Sequence, residues 1–166
     1  MTTDQEKIFK IVVKESNYRN VCPITIMAII KIESAFDQFA LRTEKHNPWL
    51  YRVGYYARKN NISIYTEETL QHCSFGLMQI MGSTARSPLN FHSNLLKLTD
   101  TGINIHYGVK YYAWLKTRYP NATPDGIASA YNGGYPMKRQ GGGGYVNQVY
   151  VDSWGKARDI FMRSFA

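Results

Sequence analysis

A chain of 166 residues, 44% hydrophobic and 19% charged, can bury one sizeable core and is too short for two comfortable ones, so a single domain over residues 1–166 is expected. Nothing in the composition calls for collagen, coiled coil or disorder, and the longest apolar stretch, near Ile24 to Ile32, carries Thr25 and Lys31 and falls far below a membrane span. A net charge of +8 suits any polyanion, whether nucleic acid, anionic lipid or a wall bearing carboxylates and phosphates. The cations are scattered, however, which argues against a nucleic-acid-binding arm.

The first residues, Met1-Thr2-Thr3-Asp4-Gln5-Glu6, lack a basic segment followed by an apolar core, so no secretory leader is expected. Asp4 to about Tyr18 reads as a helix with Ile8, Ile11, Val12 and Glu15 along one stripe. Pro23 suits the first turn of a second helix, which carries Ile26, Ile29, Ile30 and Glu33 before loosening near Phe36. Residues 37–75 show little periodicity and are read as an ordered insertion. A short helix is expected around Gly54–Asn60 and a short strand at Ile62-Ser63-Ile64-Tyr65.

Asp100 to Tyr119 forms a further helix through Ile103, Tyr107, Tyr111, Trp114 and Leu115. Pro120 ends it; Thr123 then suits an N-cap, with Pro124 at the first helical position, Asp125 near the positive end of the dipole, and Gly133-Gly134 as the exit. Residues 135–144 are glycine-rich and expected to be flexible. A last helix is expected to bury Val146, Val149, Tyr150, Trp154, Ala157 and Phe161 on one face. The fold class is mainly α, a compact globule of packed helices with an irregular loop insertion.

Cys22 and Cys73 form no CxxC pair and could bridge or stay thiols. His46, His72, His92 and His106 show no metal-binding spacing, so neither metal nor cofactor is expected.

Glu33 lies seven residues after Ile26, four after Ile29 and three after Ile30, on the apolar stripe of its helix and near its C-terminal end. Burial and the helix dipole at that address both favour the protonated form. A carboxyl group that keeps its proton near neutral pH is what protonation of a glycosidic oxygen requires. Taken alone, Glu33 is more simply a helix-end glutamate that reaches water.

Four segments in order change that balance: Ile32-Glu33-Ser34-Ala35-Phe36-Asp37, Ser74-Phe75-Gly76-Leu77-Met78-Gln79-Ile80-Met81, Ala130-Tyr131-Asn132-Gly133-Gly134 and Tyr145-Val146-Asn147-Gln148-Val149. Together they resemble the soluble lytic transglycosylases and goose-type lysozymes, from about Ile24 to Val151, in a compact form like those carried by bacteriophages. The resemblance implies a lysozyme-like helical fold and a peptidoglycan-cleaving glycosidase with Glu33 as acid and base. It implies substrate binding by Ser34, Gly76, Leu77, Met78, Gln79, Tyr131, Asn132 and Tyr145. On physical grounds Gly76 lets backbone approach a sugar and Gln79 offers both donor and acceptor.

Glycosidases usually work with paired carboxylates. By resemblance, lytic transglycosylases manage with one, the substrate's own C6 hydroxyl closing a 1,6-anhydro ring. Asp37, Glu44, Glu67 and Glu68 are the candidates for a second. Glu44 is the one singled out, although it could pair with Arg42 or Lys45, while Glu67 and Glu68 suit a helix's first turn behind a threonine cap, Thr66. Transglycosylation is favoured; the alternatives are a goose-type hydrolase, a non-catalytic wall-binding module and, on charge alone, a nucleic-acid binder. The expected partner is the peptidoglycan strand, with no nucleic acid and no stable membrane insertion. The protein is expected to be a monomer, made in the cytoplasm and acting on the wall after release or as part of a phage particle.

Overall fold

The computed structural model describes residues 2–44 and 48–164. Lys45 and His46, named above, lie outside them. In chain order the elements are α1 (Thr3–Tyr18), α2 (Pro23–Ser34), β1 (Leu41–Thr43), α3 (Val53–Lys59), α4 (Ile64–Gln71), β2 (Cys73–Phe75), β3 (Ile80–Met81), α5 (Gly82–Arg86), a 3₁₀ turn (Leu95–Thr99), α6 (Thr101–Arg118), α7 (Pro124–Gly133) and α8 (Gln148–Ser164). They form two compact units, Met1–Ile32 with Val109–Ala166, and Glu33–Gly108; the boundaries fall inside α2 and α6.

In the first unit, Thr2 and Gln5 close a reciprocal capping box that starts α1, and Ile8, Val12 and Ser16 form its buried stripe. Ile26, Met27, Ala28, Ile29 and Ile30 of α2 are all fully buried, and so are Val109 and Leu115 of α6. α7 begins as its sequence dictates: Thr123 accepts from the Gly126 N–H, Pro124 follows, and Gly134 closes the helix at φ +83°. It packs on α8, whose buried side is Val151, Trp154, Ala157 and Phe161. The fully buried Trp154 indole donates to the Thr25 carbonyl at 3.4 Å. Val146 and Val149, expected on this buried side, are instead 64% and 81% exposed. The helix starts only at Gln148, which turns its face away from both valines.

The second unit holds an antiparallel sheet in the order β1-β2-β3, with Leu41 opposite Phe75 and Phe75 opposite Ile80. The expected helix near Gly54–Asn60 is α3. Ile64-Tyr65, expected in a strand, open α4 instead, because Ser63 caps it by accepting from the Thr66 N–H at 2.9 Å. The cap is therefore Ser63 and not Thr66. In α6 the buried series is Asn104, Ile105, Gly108, Val109, Tyr112 and Leu115. Of the residues expected there, only Leu115 is buried; the wall is thus turned from the predicted stripe by about one residue, 100° on a helix. Cys22 and Cys73 are both free thiols. No helix among the described residues is long and apolar enough to cross a membrane.

Candidate active site

Glu33 stands one residue from the end of α2 and is 7% exposed. The helix stops because Ala35 and Phe36, neither a glycine, take positive φ values of 52° and 72°. Each such residue costs about 1–2 kcal/mol, so the chain holds strain directly behind Glu33. Two contacts brace this end. Arg42, from β1, donates through Nη2 to the Glu33 carbonyl at 2.6 Å, a cation where the helix dipole favours one. The Ser34 hydroxyl donates to the Leu77 carbonyl at 2.8 Å. That bond brings together two of the four sequence segments, the end of α2 and the turn Gly76–Gln79.

The turn is built for close packing. Gly76 takes φ +68°, and a Cβ there would lie 2.5 Å from Asn104 Nδ2 and 2.7 Å from the Leu98 carbonyl. The reason for glycine visible in the fold is therefore the approach of α6, beside the approach of sugar anticipated from sequence. Asn104, fully buried, donates to the Phe75 and Leu98 carbonyls and accepts from the Met78 N–H. The Leu77 and Met78 side chains are fully buried, so what they present is backbone. Gln79, itself at φ +44°, donates to the Ala40 and Gly76 carbonyls at 3.0 and 2.9 Å and accepts from Ser74 at 3.0 Å. Its carboxamide locks the turn to β1 and β2.

Tyr131 and Asn132 lie in the last turn of α7. Tyr131 is 8% exposed, its ring 5.3 Å from Tyr111 and 6.5 Å from Tyr112. Burial pushes the Tyr111 and Tyr112 phenols up to about 12, so these neighbours remain neutral through ordinary pH. Asn132 is exposed and accepts at Oδ1 from Asn147 at 2.9 Å. Asn147 also donates to the Ser129 carbonyl and accepts from the Ser129 hydroxyl at 2.6 Å, which fastens the segment before α8 to the end of α7. Tyr145 precedes α8, and its hydroxyl lies 3.2 Å from that of Thr123. Thr123 caps the opposite end of α7, about 13 Å along the axis from Asn132, so the Tyr145 hydroxyl is not grouped with Tyr131 and Asn132.

The other carboxylates are accounted for differently. Glu67 is fully buried and meets the equally buried Arg86 through two bonds of 2.8 Å. Arg86 further donates to the Phe91 and Ser93 carbonyls and lies 4.1 Å over the Tyr56 ring. Glu67 is thus a structural ion and not a helix-surface residue. Asp37 accepts from the Phe39 N–H in an exposed turn. Glu44 is exposed, and its backbone extends the strand by donating to the His72 carbonyl at 2.7 Å. Arg42 turns to the Glu33 carbonyl. Glu68 is exposed on α4. No cluster of potential metal ligands occurs among the described residues. Asn104, Arg42 and Asn147 are the supporting residues that sequence reasoning did not single out, although Asn147 lay inside a recognised segment.

Among the described residues, eight α-helices with three short strands define a mainly α fold, in which a buried glutamate at a helix end is tied through its neighbours to a glycine turn. The chain matches the transglycosylase SLT domain over residues 10–145 and belongs to that family. Its members are peptidoglycan lytic transglycosylases, and the chain is an enzyme of that kind. Neither the curated proteins nor the solved structures gave a match.

Proposed function

We propose that the protein cleaves the β-1,4 bond between N-acetylmuramic acid and N-acetylglucosamine without water, with Glu33 as its sole acid and base. The protonated Glu33 carboxyl donates to the glycosidic oxygen as the bond to the muramic C1 breaks and an oxocarbenium-like centre develops. The resulting carboxylate takes the proton of the muramic C6 hydroxyl, whose oxygen bonds C1 and closes the 1,6-anhydro ring. Glu33 ends the cycle protonated, and no water is consumed. Ser34 and the Gly76–Gln79 turn serve as bracing and backbone contacts. Tyr131 and Asn132 contribute polar groups to substrate, and Tyr145 acts through the start of α7.

One observation carries this reading. Of the acidic residues in Glu33–Gly108, only Glu33 and Glu67 are buried among the described residues, and Glu67 is neutralised by Arg86. A water-activating base has no equally sheltered candidate in that unit. The place of action is the cell wall, reached after release from the cytoplasm or on a phage particle; the charge of +8 suits a wall rich in anions. The test is to digest purified peptidoglycan and weigh the soluble fragments. Fragments lighter by one water than hydrolysis products are expected. Full-mass reducing fragments would make the protein a goose-type hydrolase and send the search for a base back to Asp37 and Glu44.

A further inference from the structure

Pro48 to Thr66 contains no acidic residue and carries Arg52, Arg58 and Lys59 on or beside α3. All three are exposed, and among the described residues none joins an ion pair. Two of them share one ring: the Arg52 guanidinium lies 4.6 Å and the Lys59 ammonium 5.7 Å from the centre of Tyr55. Arg58 folds back along the helix, its Nη1 3.7 Å from where a Cβ on Gly54 would stand. Three like charges on one short segment with no acidic residue raise a positive potential that an anion relieves.

Arg52 overrides several local preferences at once. It is a non-glycine residue at φ 47° and ψ 43°, a cation at the N-cap of a helix, and it makes no capping bond. Conflicts of this kind gather where a residue is held for function. The patch is also stiff. Tyr55 packs edge-on to Tyr56 at 5.0 Å, Tyr56 lies on the buried Arg86, and the backbone of Tyr51 exchanges bonds of 2.7 and 3.0 Å with Gln71. Because cations cover the Tyr55 ring, the surface is suited to reading charge rather than stacking on sugar.

We propose that the α3 face is a second docking surface for peptidoglycan, recognising the carboxylates of its peptide stems and holding the enzyme on its insoluble substrate between cleavages. This rests on the family's substrate and not on the role of Glu33. Guanidinium groups bind carboxylates as paired forks, and a peptide-bearing strand offers them wherever the enzyme works.

The test compares the wild-type chain with R52G/R58Q/K59Q in sedimentation binding to purified peptidoglycan free of phosphate polymers, at low salt. Glycine at position 52 keeps the left-handed backbone without strain. Binding by the variant should fall about tenfold, from three exposed ion pairs. Converting the stem carboxylates to amides with a carbodiimide and ammonia, which leaves the cross-linked wall insoluble, should weaken wild-type binding to the variant's level, while turnover of short, peptide-free glycan fragments stays the same for both. R58Q/K59Q, which leaves Arg52 in place, should show a smaller loss and decides the matter if the triple variant does not fold. Unchanged binding by the variants, equal wild-type binding to the amidated wall, or binding that needs wall phosphate would each overturn the proposal. Binding is read without cleavage, so an inactive preparation still gives a result.

Discussion

Replacing Glu67 by Gln separates a structural carboxylate from a catalytic one. Glu67 and Arg86 are both 0% exposed, and the pair is bidentate at 2.8 Å. The variant keeps an amide oxygen for one of the two bonds but turns an NH2 group toward the other guanidinium nitrogen. Arg86 then keeps the Phe91 and Ser93 carbonyls at 2.6 and 2.7 Å and the Tyr56 ring, with no negative charge against its own. Breaking one side of a buried pair costs about 3–5 kcal/mol, because the remaining charge has no route to water. With a urea dependence of about 2 kcal/mol per molar, the unfolding midpoint should fall by roughly 1.5–2.5 M. Turnover per folded molecule, measured well below the melting temperature, should stay within about twofold of wild type, the lost interaction lying in the fold and not in the reaction. A change under about 1 kcal/mol would refute the electrostatic reasoning. Full stability with lost turnover would instead return Glu67 to the candidate bases. Replacing both partners by apolar residues of similar size should restore much of the stability.

Gly76→Ala should destabilise by about 2–4 kcal/mol, from a positive φ and displacement of Asn104, and a thermal melt within a degree of wild type would contradict it. Asn147→Ala should lower stability by about 1–3 kcal/mol through its bonds to Ser129 and Asn132. On the proposed role of Asn132 it should also reduce turnover of peptidoglycan several-fold; unaltered turnover would remove Asn132 from the proposed substrate contacts. Tyr112 is 5% exposed and its phenol is raised to about 12 by burial, whereas an unfolded tyrosine ionises near 10. The unfolded chain therefore releases its proton first. Stability is unaffected below about pH 10 and falls between about 10 and 12, by roughly 2–3 kcal/mol from this ring. Tyr112→Phe should remove that part of the alkaline loss, and an unchanged slope in denaturant titrations at pH 10 and 11.5 would count against it.

Elements whose signals are local were legible in the sequence. Thr123-Pro124 and Gly133-Gly134 fix both ends of α7 within a few residues, and Pro23 and the run of isoleucines mark α2. The strands were not legible. They are two or three residues long and pair Leu41 with Phe75 across the whole insertion, so nothing near either strand announces the other. α4 was hidden for a different reason: its buried positions are Glu67 and Gln71, polar residues that only Arg86 and the Tyr51 backbone make tolerable inside. The burial of Glu33 accords with its place on the apolar stripe of α2, whereas its chemistry was suggested only by the four segments together. Asn104 was not legible, since a carboxamide in a helix reveals its three bonds only when the Gly76 turn is laid against it. Leu77 and Met78, named as substrate-binding from the resemblance, have fully buried side chains, so backbone is what they leave to meet a ligand.

The most direct test of Glu33 as acid and base is Glu33→Gln, which keeps the shape of the side chain and removes the exchangeable proton. The purified variant should keep wild-type circular dichroism and still sediment with peptidoglycan, yet release anhydro-ended fragments at least 10²-fold more slowly at every pH, a loss within the range expected of general acid–base catalysis. Release at the wild-type rate by a folded variant would mean that another group moves the proton, and Glu33 would then be only a buried end of α2.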